Sequence, residues 1–326
     1  VPGVFLITEK GSFGVMRPPV NIYVIPGPDG LVFDAGYGNL RSLRQFERGF
    51  REIEGYCTQK GLPFCVRRII PSHAHPDHFA GLKKLRKRLG FKVLLAPKTA
   101  AVIANRQAYR RVYNHDYFGR GADGYPLVKR LFWGIVQEVG GYFYEGLYGT
   151  AFIKQPDRLC PVPGPLKVNG EQWLLLASPG HSEDHISLYD PVRGLLFAGD
   201  NVLRTLNTWL GPPRSDLEVY VASLRELRAL PRLRMILSAH GSPIERPAER
   251  IDEIIAWRRR RVWEVYGVIR DSAEGISLRG IFKVLYPGEG WMKWVLAEGW
   301  MRLTVNYLEG RGWIVSERRG SRRYYL

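Results

Sequence analysis

The stretch PSHAHPDHFAG, residues 71–81, places His73, His75, Asp77 and His78 within six positions. It directly follows VRRII, a short apolar run of the kind a sheet buries. Three later runs of strand type end in the same chemical manner: EQWLLLASPGH on His181, GLLFAGD on Asp200 and RMILSAHG on His240. Five of the chain's seven histidines and two carboxylates therefore sit just past the ends of predicted strands. Strand ends are where a rigid sheet brings distant loops together. A chain with this pattern is constrained to fold so that these ends meet at one edge.

The rest of the chain reads as an α/β arrangement around that requirement. VFLI, NIYVI and LVFDAG are strand runs separated by turn residues, and Leu40, Leu43, Phe46, Phe50 and Ile53 recur at helical spacing, predicting a helix over 39–56. GLKKLRKRLG reads as a short helix whose KKLRKR run is a solvated basic face, and FKVLLA as a strand. Residues 100–165 hold aromatic and basic residues without strand alternation, which predicts a helical or looped insertion rather than sheet, its aromatics, among them Tyr109, Tyr113, Tyr117, Phe118, Tyr125, Phe132, Trp133, Tyr142 and Tyr144, forming the apolar walls of a cap over the strand ends. HISLYDP adds a strand, and SDLEVYVASLRELRAL a helix capped by Ser215. Beyond GSPIERPAER the pattern changes to a long helix over about 247–271, helical stretches, and a hairpin turning at Gly320 and Ser321. The reading is a domain over 1–246 and a small winged-helix-like domain over 247–326.

Composition bounds the partners. The net charge is +17, with 36 Arg and 12 Lys among the basic residues, which favours anionic partners such as nucleic acid or phosphorylated metabolites. Sparse Asn, Gln, Met and Cys fit a thermophile as a second source of that charge. Cys57, Cys65 and Cys160 lack C-x-x-C spacing, so neither a thiolate zinc cluster nor a disulfide framework is signalled, and buried reduced cysteines are expected. The absence of a long apolar run and of a leader pattern predicts no membrane span and a cytoplasmic location.

Imidazole and carboxylate donors suit Zn, Fe or Mn. Seven candidate ligands exceed one tetrahedral ion and match two divalent ions that share a carboxylate and a water, so no serine or cysteine nucleophile is needed.

HAHPDH followed by PGH, GD and a last strand-end His resembles the metallo-β-lactamase fold superfamily, and Asp34 in LVFDAG matches its first aspartate. The resemblance spans residues 34–240 and implies a four-layer αβ/βα sandwich with the metals at one edge. It implies that His73, His75 and His181 hold one metal, and that Asp77, His78 and His240 hold the other, with Zn the expected ion and Fe or Mn the alternatives. Asp200 would bridge them. Catalysis would rest on Asp77 and Asp200 around a metal-bridging hydroxide. Asp34 would orient the ligand loop, and His185 reads as a supporting residue behind the ligands.

The same resemblance narrows the chemistry. True β-lactamases carry Cys or Ser at the place of Asp200, and the flavin-linked diiron branch carries Glu at the place of His75. Signalling-lactone hydrolases carry a Tyr shortly after the bridging Asp, where this chain has Leu203 and Arg204. PGHSEDHISLY and the C-terminal segment look like the branch with a β-lactamase-associated winged helix, whose relatives are ester or thioester hydrolases of the glyoxalase II type and endoribonucleases. The expectation is hydrolysis of an ester, thioester or similar acyl bond in a small anionic substrate, the alternative being a phosphodiesterase acting on single-stranded RNA. Arg318, Arg319, Arg322, Arg323, Tyr324 and Tyr325 suit RNA. The apolar helix with Trp294, Trp300, Met301, Val305 and Tyr307 instead suits packing or a homodimer. Arg204, Asn201 and Tyr109 are candidate substrate contacts, and Arg106, Arg110, Arg111 and Arg120 candidate anion contacts in the insertion.

Overall fold

In the computed structural model, which describes residues 2–11, 17–118, 140–211, 214–320 and 322–326 (backbone only for 114–118, 291, 292 and 295), the strand-type runs assemble into two large mixed sheets. The first holds β1 (Phe5–Glu9), β2 (Val20–Ile25), β3 (Gly30–Phe33), β4 (Val66–Ile70), β5 (Lys92–Leu95) and β6 (Arg158–Leu159) in chain order. Its first three strands pair antiparallel and the rest parallel. The second holds β7 (Gly164–Val168), β8 (Glu171–Ala177), β9 (Ile186–Asp190), β10 (Leu195–Gly199) and β11 (Met235–Ser238), parallel only between β10 and β11.

Alternation along each strand sorts the layers. Leu31 and Phe33 of β3 face Leu195 and Phe197 of β10 in the core between the sheets. Phe197 is ringed there by Tyr23, Phe33 and Trp173 at 5.3, 5.7 and 5.7 Å. Val32 points the other way, onto Leu43, Phe46 and Phe50 of α1 (Leu40–Gln59). Leu196 and Ala198 point onto Tyr220 and Leu224 of α7 (Leu217–Arg228) and Ile251 and Ile254 of α8 (Pro247–Arg270). Helix, sheet, sheet, helix is the metallo-β-lactamase-type sandwich, and Phe197 locks the strand that ends at Asp200 into its centre. Truncating such a ring to Ala costs about 3–5 kcal/mol.

Three details differ from the sequence reading. The helix expected to be capped by Ser215 is capped by Asp216, whose Oδ1 accepts from Val219 N at 2.9 Å, worth about 1 kcal/mol. Ser215 instead donates to His181 O at 2.7 Å and accepts from Gly211 N at 3.0 Å, which takes its hydroxyl away from the helix. Residues 100–165 are not free of sheet: β6 pairs with β5 and β7 begins at Gly164, but two exposed residues are too few for alternation to mark. Cys65 is exposed rather than buried, because it precedes β4 outside the core.

The remaining helices are short or peripheral: α2 (Pro76–Phe79), α3 (Leu82–Leu89), α4 (Pro97–Ile103), α5 (Arg106–Phe118) and α6 (residues 140–148). The C-terminal segment follows α8 with β12 (Ile276–Ser277), α9 (Leu278–Leu285), α10 (Trp291–Gly310) and the hairpin β13 (Ser316–Arg319) and β14 (Arg322–Tyr325). The second half of α8, through Val265 and Ile269, shares a core with Ile281, Met301, Val305 and Leu308. One helix therefore belongs to both cores.

Candidate metal centre

The strand ends converge as their spacing requires. His73 follows β4, His181 follows β8, Asp200 follows β10 and His240 follows β11, while α2, entered through His75 and opened by Pro76, turns Asp77 and His78 back toward them. Two glycines let the loops approach. Gly180 has φ +124°, and a Cβ there would lie 2.2 Å from Tyr220 Cα, so the PGH turn has room for hydrogen alone. Gly199 has φ +50°, and a Cβ there would come within 2.7 Å of His185 Nε2.

Two donor groups result: His73, His75, His181 and Asp200, and beside them Asp77, His78 and His240. In the first, His75 Nδ1 lies 2.8 Å from His73 Nε2 and 3.0 Å from His181 Nε2, and His181 Nε2 lies 3.6 Å from Asp200 Oδ2. In the second, Asp77 lies 3.6 Å from His78 Nε2 and 3.4 Å from His240 Nε2. The other oxygen of Asp200, Oδ1, lies 3.5 Å from His78 Nε2 and 3.3 Å from His240 Nε2. Asp200 thus turns one oxygen to each group.

The rings are aimed by their far nitrogens. His181 Nδ1 donates to Trp209 O at 2.8 Å and His240 Nδ1 to Pro19 O at 2.6 Å, which leaves each Nε2 bare toward the site. Ser72 Oγ stands 3.0 Å from His73 Nδ1 and 3.1 Å from His78 Nδ1. Asp34, at φ +70°, accepts from Ser72 N at 2.7 Å and meets His78 Nδ1 at 3.1 Å. His185 faces away from the donors, its Nε2 accepting from Asp200 N at 3.2 Å and its Nδ1 lying 2.9 Å from Ser178 Oγ. Only His75 offers Nδ1 to the centre.

Burial and neighbouring charge divide the protonation states. Burial, aided by neighbouring imidazoles, holds His73 well below the usual histidine range and pushes His75 down to about 3, and burial also lowers His181. At His78 burial pulls downward, but Asp34, Asp77 and Asp200 outweigh it and raise the ring well above its usual range. His240 is likewise raised to about 10 against burial by Asp200 and Asp77. Against the upward pull of burial, His78 and His240 hold Asp77 down at about 2 and Asp200 well below the carboxylate range.

The donor set fits divalent cations. A tetrahedral ion with bonds of about 2.0–2.1 Å sets its ligands about 3.3 Å apart, close to the spacings between neighbouring donors in both groups. His78 Nε2 and Asp200 Oδ1 are buried without a hydrogen-bond partner, a costly state for polar atoms unless a cation completes them.

Other candidates fall elsewhere. Asn201 is fully buried and donates to Ser178 O at 2.6 Å, so it supports the loop behind Asp200 and does not face a substrate. Tyr109 is buried between Phe79, Tyr113 and Phe152 at 4.9–5.5 Å and forms part of the core under the insertion. Arg204 is exposed and donates to Pro243 O at 2.9 Å. Arg106 and Arg110 pair with Glu145 of α6 at 2.6 and 3.2 Å and lie over Tyr142, while Arg111 is exposed. Arg120, Tyr125, Phe132 and Trp133 lie outside the described residues. Sequence reasoning missed Ser72 and Trp209, while Tyr113, one of the insertion's aromatics, sits with its ring 5.1 Å from that of His75. Ser72 was marked by its adjacency to His73; a backbone carbonyl such as that of Trp209 carries no residue-type signal.

A family model for the metallo-beta-lactamase superfamily matches residues 15–240, and the chain belongs to that superfamily. A metallo-beta-lactamase family protein from Thermus thermophilus superposes with a TM-score of 0.72 over 99% of this chain and 98% of that one, at 21% identity, a likeness of fold. A beta-lactamase-like protein 2 homolog from Caenorhabditis elegans is 32% identical over 124 residues, 38% of this chain and 40% of that protein. A hydroxyacylglutathione hydrolase from Idiomarina loihiensis is 36% identical over 100 residues, 25% of this chain and 37% of that protein. These two alignments span about two fifths of the curated relatives' length. No described helix is long and apolar enough to cross a membrane.

Proposed function

We propose that this superfamily member holds two divalent metal ions, zinc in the first instance, and hydrolyses an ester, thioester or similar acyl bond of a small substrate. The observation that carries the reading is Asp200, whose two oxygens address different donor groups at 3.3–3.6 Å. His73, His75 and His181 would hold one ion, Asp77, His78 and His240 the other, and Asp200 both. Ions bound there would supply positive charge against a developing oxyanion and a water that gives up its proton near neutral pH.

The chain's own groups prepare that chemistry. Uncharged His73, His75 and His181 offer lone pairs without first losing a proton, and ionised Asp77 and Asp200 balance cationic charge. Asp77 is also partly open to solvent. Asp34 and Ser72 hold the HAHPDH loop in register. The acyl reading is supported by the matched hydroxyacylglutathione hydrolase, whose name specifies an acyl group on glutathione.

The deciding experiment combines elemental analysis with paired assays. About two metal equivalents per chain and turnover of a hydroxyacyl thioester of glutathione or an aryl ester, both abolished in Asp200→Ala, is the expected result. A metal-free chain with full activity would overturn the metal reading. Cleavage of labelled single-stranded RNA, absent in Asp200→Ala and unaccompanied by acyl hydrolysis, would replace the acyl bond with a phosphodiester.

A further inference from the structure

The chain from Asn201 to Gly211 forms no helix or strand, yet it links two parts of the metal centre. Asp200 immediately precedes it, and Trp209 O holds His181 Nδ1. An irregular segment needs its backbone groups fixed from outside if it is to keep ligands within a fraction of an ångström.

The C-terminal segment supplies that fixing. Arg258 of α8, 5% exposed, donates from its guanidinium to Thr208 O. Thr208 Oγ1 donates in turn to Asp200 O at 2.5 Å. The Arg258 guanidinium also lies 5.5 Å from the ring centre of Tyr220, whose hydroxyl donates to Asn201 O at 2.6 Å. Eight residues earlier on the same helix, Arg250 donates to Leu203 O at 2.8 Å and Leu206 O at 3.1 Å. From α10, Gly299 approaches so closely that a Cβ would lie 3.2 Å from Leu210 O and from Gly211 Cα.

Among the described residues no carboxylate forms an ion pair with Arg258. Burying a cation without an anion is costly, so packing alone does not explain an arginine where a leucine or methionine would fill the same space. What the guanidinium does there is hold the Thr208 carbonyl of the ligand-bearing loop.

We propose that Arg258 is a positioning residue of the metal centre, acting through Thr208 on the backbone of Asp200, and that the C-terminal segment is thereby a structural part of that centre. This rests on the two-metal reading above. The role is unlike a cap or a lid: the residue sits behind the ligands and touches neither metal nor substrate.

The test uses the full chain, with Arg258→Met, Arg258→Lys and Thr208→Val compared with the parent. Each is titrated with Co2+ against a competing chelator while the visible absorption band is recorded, and thermal midpoints are measured in parallel. Arg258→Met should weaken Co2+ binding about 10–100-fold and alter the band, as loss of a ligand's outer support does. Thr208→Val should move both in the same direction, and Arg258→Lys, which keeps one donor and the charge, should recover most of the affinity. A purely structural role would lower the thermal midpoint and leave band and affinity unchanged; that result in both Arg258→Met and Thr208→Val overturns the proposal. Should Arg258→Met fail to fold, Thr208→Val decides alone. If the parent takes up no Co2+, the two-metal reading fails first; if parent and variants bind equally, only the positioning role fails.

Discussion

The three imidazoles of the first donor group are driven toward neutrality, whereas the two of the second are driven toward the cationic form by Asp77 and Asp200, joined at His78 by Asp34. The contrast arises from placement. Burial lowers His73, His75 and His181, with neighbouring imidazoles adding to it at His73 and His75, while His78 and His240 each have Asp77 and Asp200 within 3.6 Å. A cation entering the first group displaces no proton from its rings; one entering the second must take the place of protons that the carboxylates hold there. In the two-metal reading proposed above, the first group would then be the tighter site and the second the one whose occupancy varies with pH.

Removing the shared ligand should erase the contrast. Asp200→Ala is expected to lower hydrolysis at least about a thousandfold and reduce metal content below two equivalents, checked by turnover and elemental analysis on one preparation. Metal content still at two would show that the bridge is not what joins the groups. Single-group variants should sharpen the difference: His240→Ala is expected to keep one equivalent while losing about a hundredfold in turnover, whereas His75→Ala should lose the tighter equivalent. Equal metal loss in both variants would mean the two groups do not differ. Asp34→Ala removes the acceptor for Ser72 N and the partner of His78 Nδ1. It should weaken the second equivalent about 10–100-fold and leave the first nearly unchanged, measured by chelator competition.

The smallest effect on activity is expected at Glu9, buried beside Tyr37, Ser42 and Arg17 and within the field of Asp77. Burial raises its pKa to about 8, against the opposing Tyr37 N–H, Ser42 and Arg17. The folded carboxyl stays protonated where the unfolded one, near 4.5, is already ionised. Stability therefore falls as pH rises from about 4.5 to about 8, by at most about 1.4 kcal/mol per unit. Glu9→Gln should flatten urea midpoints between pH 5 and pH 8; a parent whose midpoint does not fall over that window would contradict the assignment.

The strand ends and the capping arithmetic show how much was legible beforehand. VRRII, WLLLA and LLFAG read correctly as strands because apolar runs bounded by turn residues have few alternatives, and HAHPDH could be seen to need distant partners. Ser215 misled because Ser and Asp at adjacent positions are equally good caps, and the choice fell to Asp216 once Ser215 was engaged by His181 O. Asn201 misled because a polar group next in sequence to Asp200 reads as facing the cleft, and Tyr109 because it belongs to the aromatic insertion read as a cover; Ser178 O and Phe79 draw them inward.

Residue types and their spacing along the chain determined which side chains could serve as donors, and that they lie beyond buried strands. Which nitrogen of each imidazole faces the centre, which way Asp200 turns its two oxygens, and how burial and charge split the rings into two classes were decided only by tertiary structure. The same holds for Arg258, an unremarkable member of an arginine run in sequence and a buried support behind Asp200 in the fold. The physical reason is common to all of these. A hydrogen bond to a backbone carbonyl, or a field from a carboxylate, depends on distances between segments far apart in the chain, and such distances are set by packing of the two sheets and not by local sequence.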